Sequence, residues 1–263
     1  MTTPKQIQTV GAILTITMLT VVGQGVKDKL ATDIVAEKQT VRLGDPILVS
    51  VRVTNQSPEA VEASRTATAF DCFEVTGPDG QRLRYVGFDG QVAENRVGVR
   101  PFSTVTIAET LDLTDRYLFQ TPGRYSIRLS GKWAGFSDSR AIAIEVTPGK
   151  LSEFDEVAAA LLPLCPSGWH LAKDARGEVT PFGRPRVAGF ALHLCHNHMR
   201  GEAVLLWFTK AESKLDPGQT SRPESQYFGR VRGLFVYGSV GSNTPALWAT
   251  ATEDISRALQ IKK

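Results

Sequence analysis

The sequence predicts an immunoglobulin-like β-sandwich followed by a small α+β domain, in which two helices accompany an antiparallel sheet. Three observations predict this order: short strands recur through residues 26–148, a Pro148-Gly149 pair follows the last of them, and helical periodicity begins directly afterwards. The chain has 263 residues, which is enough for two ordinary domains. We therefore place the sandwich in residues 26–148 and the α+β domain in residues 149–263.

The first 25 residues resemble a secretory leader in their pattern. Val10 to Val22 is an uncharged, mostly apolar run of 13 residues preceded by Lys5, and Gly23 and Gly25 place small residues after it. A spanning helix needs about 20 apolar residues, so a signal peptide cleaved after Gly25 fits better. An uncleaved N-terminal anchor, or a buried first element of a cytosolic domain, are the alternatives. We expect export, with the chain periplasmic, secreted or held at the outer face of the membrane.

The strand pattern of residues 26–148 is clearest at Ile47–Asn55, where Ile47, Val49, Val51 and Val53 alternate with polar residues. Period two with one apolar face is typical of a half-buried antiparallel strand. About seven such strands in about 120 residues is the immunoglobulin-like pattern, and Tyr125 is positioned to form its tyrosine corner. The other predicted strands are Phe70–Thr76, Gln81–Val86 after a Gly77–Gly80 turn, Thr104–Leu113, Arg124–Trp133 and Ala141–Thr147.

Four segments of this half carry a resemblance: Phe73–Gly80, Tyr85–Gly87, Leu111–Tyr117 and Pro122–Tyr125. Over about residues 40–147 they resemble the sandwich domain that precedes the catalytic domain of deuterolysin-type and lysine-specific metalloendopeptidases. The resemblance implies a fold and an accessory role. Those proteases carry a His-Glu-x-x-His motif that this sequence lacks, so proteolysis is not implied.

Beyond Pro148-Gly149 the pattern is helix, about four strands, helix. Ser152 N-caps the first helix with Asp155 in the capping-box position. Ala203–Phe208 is apolar on both faces and predicts a central strand covered on both sides. The layout resembles the C-terminal domains of uncharacterised exported bacterial proteins. The remaining predicted elements are strands Val187–Cys195 and Leu234–Tyr237, a polar loop at Ala211–Ser225 and a last amphipathic helix through Leu247, Ala251, Ile255, Ala258 and Leu259.

No motif in the sequence indicates a reaction. Phosphate loops, dinucleotide fingerprints and nucleophile elbows are absent from it, so we expect no cofactor and favour a protein that is not an enzyme. The net charge of +3 is spread along the chain, which argues against nucleic acid as a partner. A membrane contact is expected only through an uncleaved leader.

The densest group of metal-binding residue types is His193, Cys195, His196 and His198, and imidazole and thiolate suit copper, zinc or nickel. On a strand, His193 and Cys195 share one face and His196 lies on the other, so the four converge only if the chain turns after Cys195. A disulfide between Cys165 and Cys195 is the competing prediction, because both belong to the α+β domain and Cys72 does not.

Three functions remain open. The first is a non-enzymatic binding or structural protein of the cell envelope, whose partner is an unknown protein or glycan. The second is a metal-binding protein that uses the His193–His198 cluster. The third, which rests on the sandwich resemblance alone, is a peptidase-inhibitor or propeptide-like module.

Overall fold

The structure is a computed structural model that describes residues 29–65, 71–87, 95–130, 136–165, 169–179, 187–197, 202–210, 225–240 and Arg257. These residues are mostly in β-strands. Nine strands precede the helix: β1 (Leu30–Ala36), β2 (Thr40–Arg42), β3 (Leu48–Asn55), β4 (Val61–Ser64), β5 (Phe73–Thr76), β6 (Arg96–Val99), β7 (Thr104–Asp112), β8 (Gly123–Leu129) and β9 (Ile142–Thr147). Helix α1 (Glu153–Leu161) is followed by β10 (His170–Val179), β11 (Val187–Asn197), β12 (Glu202–Thr209), β13 (Ser225–Val231) and β14 (Leu234–Val240).

Residues 29–147 form what we call the N-terminal β unit, which contains two larger sheets. The front sheet has the order β1-β3-β7 and is antiparallel. The back sheet has the order β2-β9-β8-β5, in which β2 runs parallel to β9 and the other pairs are antiparallel. Strands β4 and β6 form a separate antiparallel pair.

The two sheets share one hydrophobic core. Val49, Val51 and Val53 of β3 are buried, as their alternation predicts. Phe73 and Ile127 of the back sheet belong to the same core. Because alternate residues of a strand point to opposite faces, this core lies between the sheets and leaves polar residues outside.

Tyr125 makes the predicted contact at the entry to β8. Its ring is buried, and its hydroxyl donates a hydrogen bond to the Thr121 carbonyl oxygen at 2.7 Å. The bond closes the turn before β8 and satisfies a phenol that would otherwise be buried without a partner.

The predicted strand Gln81–Val86 is wrong in its length. The Gly77–Gly80 turn is present, with the Gly77 amide donating to the Gln81 carbonyl at 2.8 Å. After the turn, single bridges replace a continuous ladder: Arg82 pairs with Thr76, and Tyr85 pairs with Tyr117. The segment changes partner along its length, which a local alternation pattern does not reveal.

Residues 149–263, the C-terminal unit, contain α1 and a five-stranded antiparallel sheet of order β10-β11-β12-β14-β13. The Ser152 hydroxyl accepts the Asp155 amide at 3.1 Å, which confirms the predicted N-cap. Strand β12 is central, and Leu206, Trp207 and Phe208 are buried on its two faces, as predicted. About four strands were expected and three of them were located in the sequence, which correspond to β11, β12 and β14; the described residues contain five, because β10 and β13 were not located.

The core of the C-terminal unit extends into the N-terminal β unit. Phe154 and Leu161 of α1 pack with one face of the five-stranded sheet, and Val86 and Leu118 of the N-terminal β unit belong to the same cluster. The opposite face of the sheet buries Ala191, Trp207, Phe235 and Tyr237.

The predicted boundary at Pro148-Gly149 is tightly packed. A Cβ on Gly149 would lie 2.2 Å from the Leu43 carbonyl oxygen, and a Cβ on Gly44 would lie 1.9 Å from the Lys150 carbonyl oxygen. Both distances are far below contact, so only glycine fits at these two positions. The backbones of the two units therefore touch directly at the junction.

Three predictions concern segments mostly outside the described residues, and one of them is the polar loop Ala211–Ser225, of which only Ser225 is described, as the first residue of β13. The other two are the leader and the C-terminal helix, and of that helix only Arg257 is described and is helical. Over the ranges that the structure covers, α1 is thus the one complete α-helix, and none is long and apolar enough to cross a membrane.

The turn between β6 and β7, residues 100–103, contains an unfavourable backbone conformation. Phe102 has a φ of 53° and its side chain is 71% exposed. A left-handed conformation costs a non-glycine residue about 1–2 kcal/mol, and here no burial of the ring offsets that cost.

We therefore predict that Phe102→Gly raises the free energy of unfolding by about 1 kcal/mol relative to Phe102→Ala, because glycine adopts positive φ without strain. Urea denaturation of the two variants measures the difference. Equal stabilities would show that the turn stores no strain at this residue.

Candidate functional site

A cleft of about 290 Å³ opens in the N-terminal β unit where the chain passes from the front sheet to the back sheet. We call it the crossover cleft. It is lined by Glu37, Lys38, Thr40, Val41, Arg42, Asp45, Pro46, Leu48 and Thr147.

The crossover takes place within three residues. The Glu37 amide donates to the Leu48 carbonyl at 3.0 Å, which continues the front-sheet pairing of β1 with β3. The Gln39 carbonyl already accepts the Glu145 amide at 2.8 Å, which belongs to the back sheet. Lys38 alone spans the gap, and the cleft is the space that the separating strands leave.

Within the described part of the chain, strand β2 has a partner strand on one side, and its other edge lies at this cleft. It pairs with β9 on one side and is the terminal strand of the back sheet. The Gln39 carbonyl and the Leu43 amide bond to β9, so by the alternation of a parallel ladder the backbone groups of Thr40 face away from β9. The Thr40 and Arg42 side chains are exposed.

The charges around the open edge are balanced. Lys38 and Arg42 contribute two positive charges, Glu37 and Asp45 contribute two negative ones, and all four line the cleft. Among the described residues no strand pairs with this edge, and the Arg42 carbonyl on it accepts the Asp45 amide at 2.9 Å, which leaves the edge open at Thr40. A balanced rim beside such an edge suits a ligand that has its own backbone donors and acceptors and side chains of both signs.

A buried ion pair fixes the C-terminal unit against the N-terminal β unit. Lys173 of β10 is 4% exposed, and its ammonium contacts the Asp155 carboxylate 2.5 Å away. The same Nζ donates to the Thr114 carbonyl of the N-terminal β unit and lies 5.1 Å from the centre of the Phe154 ring. The Lys173 amide also donates to the Val86 carbonyl at 2.7 Å.

Sequence reasoning missed this pair. Asp155 was assigned to the helix cap, and its carboxylate is indeed 2.6 Å from the Ser152 hydroxyl. The helical position of Asp155 was the clue in the sequence that its carboxylate is buried. Asp155 precedes Ala158 by three residues, so it lies on the apolar side of α1. Lys173 gave no signal, since β10 itself was not predicted.

His193 is the member of the predicted metal cluster whose side chain the structure describes. It lies on β11 with a side chain 12% exposed, and its Nε2 is 3.1 Å from the Asp174 carboxylate. Among the side chains that the structure describes, no three His, Cys, Asp or Glu residues form a metal-binding group.

The other three predicted ligands lie outside the described side chains. The backbones of Cys195 and His196 belong to β11, where Cys195 is opposite His170, and His198 follows the strand. Nothing is described of the side chains of these three residues. The metal site therefore stays a prediction.

The expected disulfide also stays a prediction. Cys165 carries a free thiol in this structure, as does Cys72, and the side chain of its expected partner Cys195 is outside the described part. Burial raises the pKa of the Cys165 thiol.

Comparisons with known proteins identify no family. No family model matches the chain, and no curated protein matches it. The structure is similar to a β-glucosidase from Listeria innocua (14% identity, TM-score 0.28, 47% of this chain and 17% of that chain). It is also similar to the sporulation control protein Spo0M from Bacillus subtilis (14% identity, TM-score 0.25, 88% of this chain and 99% of that chain).

The chain thus spans less than a fifth of the length of the glucosidase that it matches. At these TM-scores neither likeness supports a conclusion about the fold or the function.

We predict that Lys173→Met lowers the free energy of unfolding by about 3 kcal/mol, because it leaves the Asp155 carboxylate buried without its counter-charge. Adding Asp155→Leu should recover part of the loss, since the unpaired charge is then removed. Chemical denaturation of the two variants measures both effects.

The matched control is Lys29→Met, which breaks the exposed Lys29–Glu59 pair and should lower the free energy of unfolding far less than Lys173→Met does, because water screens both charges. Equal losses for Lys173→Met and Lys29→Met would contradict the role of the buried pair.

Cys72 generates a prediction about pH. Burial raises the pKa of its thiol to about 12, whereas the thiol of an unfolded chain ionises near pH 8.5. Because the folded-state pKa lies above the unfolded value, the fold favours the neutral thiol. The resulting contribution to the free energy of unfolding is fully present below about pH 8.5 and is lost as the pH rises from there towards 12.

Between pH 7.5 and 9.5 the free energy of unfolding should therefore fall by about 1 kcal/mol more in the wild type than in Cys72→Ala. Parallel denaturation curves at the two pH values measure this difference. An identical fall in both proteins would show that the Cys72 thiol makes no contribution.

Proposed function

We propose that the chain is an exported, non-enzymatic binding protein of the cell envelope that captures an extended polypeptide segment at the crossover cleft. The observation that carries the proposal is the open edge of β2 inside the cleft. A strand edge offers backbone hydrogen bonds to any extended chain, and the side chains around it select among sequences.

The two positive and two negative side chains around the cleft favour a peptide that carries charges of both signs over a ligand that carries many charges of one sign. An extended segment with alternating acidic and basic side chains would place charges opposite Lys38 and Arg42 and opposite Glu37 and Asp45. Nucleic acid is disfavoured, because its phosphates would meet two carboxylates for every two cations.

We further propose that the N-terminal β unit is an immunoglobulin-like sandwich. Two sheets around one core and the Tyr125–Thr121 hydrogen bond support this assignment.

The proposal that the chain is exported rests on the Val10–Val22 segment. Cell fractionation tests this part separately. Full-length, soluble protein in the cytosol would contradict it.

Selection of a library of displayed unstructured peptides on the full chain tests the cleft. Selected peptides should bind Thr40→Pro at least tenfold more weakly, because proline removes the backbone N–H that faces the cleft and leaves the bonds to β9 in place. Lys38→Glu combined with Arg42→Glu should change which peptides are selected, since it makes the rim acidic.

Arg124→Ala is the matched control. Arg124 lies on the exposed side of the back sheet, two strands from β2, so its loss should not change peptide affinity. Equal binding of the selected peptides to wild type and to folded Thr40→Pro would exclude strand addition at β2.

A further inference from the structure

The edge of β2 at the crossover cleft offers few backbone groups. The Gln39 carbonyl and the Leu43 amide bond to β9, so in a parallel ladder the amides and carbonyls of the intervening Thr40 and Arg42 face away from β9. The Arg42 carbonyl already accepts the Asp45 amide at 2.9 Å. Within the described part of the chain, a ligand can therefore use the Thr40 amide, the Thr40 carbonyl and the Arg42 amide.

The turn that occupies the Arg42 carbonyl is held in place by the junction between the two units. Gly44 in this turn has a φ of 94°, and a Cβ there would lie 1.9 Å from the Lys150 carbonyl oxygen. A Cβ on Gly149 would lie 2.2 Å from the Leu43 carbonyl oxygen. Because the turn packs this closely against the junction, the usable edge ends at the Arg42 amide.

An antiparallel strand added to this edge meets the available groups in a fixed order. The ligand residue opposite Thr40 donates to the Thr40 carbonyl and accepts the Thr40 amide. The ligand residue two positions earlier lies opposite Arg42 and accepts the Arg42 amide with its own carbonyl. Its nitrogen then faces the Arg42 carbonyl, which is already used. A peptide N–H without a partner costs about 1–3 kcal/mol, so a residue within a chain is disfavoured at this position.

Asp45 places a negative charge beside that ligand nitrogen. The Asp45 amide bonds to the Arg42 carbonyl, and the exposed Asp45 side chain lines the cleft. Among the described residues the Asp45 carboxylate has no hydrogen-bond or ion-pair partner. The Arg42 side chain leaves the edge towards the junction, since its Cγ lies 2.7 Å from the position of a Cβ on Gly149. The carboxylate is therefore available to a cation in the cleft.

We propose that the crossover cleft binds the free N-terminal end of an extended partner polypeptide, antiparallel to β2, with its ammonium on the Asp45 carboxylate. The first ligand residue accepts the Arg42 amide, and the third exchanges two hydrogen bonds with Thr40. This inference rests on the proposed function, because it assumes strand addition at β2 and specifies which part of the partner is added. Capture of an N-terminal amine is an established mode of peptide recognition.

Charge and size both favour this orientation. A parallel ligand would bring its C-terminal end to Asp45 and its N-terminal end towards Lys38, so either end would meet a charge of its own sign. The cleft of about 290 Å³ is at the lower limit for a ligand pocket, about 300 Å³. It therefore suits the first few residues of a chain better than a long internal segment.

The test uses the full chain and two libraries of displayed random peptides. In one library a protease cut leaves the first random residue with a free amine, and in the other two fixed residues precede it. We expect binders from the first library. Once resynthesised and acetylated, they should bind at least about fivefold more weakly, because acetylation removes the positive charge and leaves an N–H facing the used carbonyl.

Asp45→Asn tests the partner of the ammonium, since it removes the charge and keeps the size of the side chain. It should weaken binding of the free-amine peptides by about fivefold and leave binding of the acetylated peptides unchanged. Glu37→Gln is the matched control, because it removes the other carboxylate of the cleft, beside Lys38. It should leave the ratio of the two affinities as it is in the wild type.

Equal affinities of free and acetylated peptides, or an equal effect of Asp45→Asn on both forms, would overturn N-terminal capture. Binders from the second library with proline opposite Arg42 would also overturn it, because the missing N–H and not the ammonium would then be recognised. In each case, peptides that still lose affinity for Thr40→Pro leave the proposed function standing without this inference. If neither library yields a binder, both proposals are wrong.

Discussion

The buried contact between Lys173 and Asp155 is the interaction on which the arrangement of the two units depends. The lysine belongs to an edge strand of the five-stranded sheet, the aspartate to α1, and the carbonyl that also binds the ammonium belongs to Thr114 of the N-terminal β unit. A charge taken out of water must find its full set of partners. Here the ammonium and its two partners come from three elements, so the three elements must come together for this charge to be satisfied.

The surrounding packing reinforces this constraint. Val86 and Leu118 extend the core of the C-terminal unit across the boundary, and the paired glycines Gly44 and Gly149 let the backbones touch. Apolar contacts stabilise the interface without fixing the relative orientation of the two units. The ion pair and the close glycine contacts require particular geometry, so they fix that orientation. The sequence periodicity predicts two units, and the described residues of these units pack directly against each other.

What the sequence revealed depended on whether the signal was local. The alternation in Ile47–Asn55, the Ser152 cap, the central strand β12 and the Tyr125 hydrogen bond each depend on a short run of residues, and each was predictable. Strand β10 was not, because four of its ten residues are charged and one is glycine, and it becomes a strand by pairing with β11. The crossover cleft could not be predicted either. It forms where the chain crosses at Lys38 from the front sheet to the back sheet, and those two sheets come together only in the folded chain.

The parallel pairing of β2 with β9 has a mechanical consequence. A pull applied between Lys29 and Gly149 draws β2 towards the start of the chain and β9 towards the C-terminal unit. The two strands run in the same direction, so this force slides them past each other lengthwise. The hydrogen bonds along Thr40–Arg42 then resist together and do not open one after another. Three residues at the edge of a sheet therefore carry part of the load as a unit when the chain is stretched between these two points.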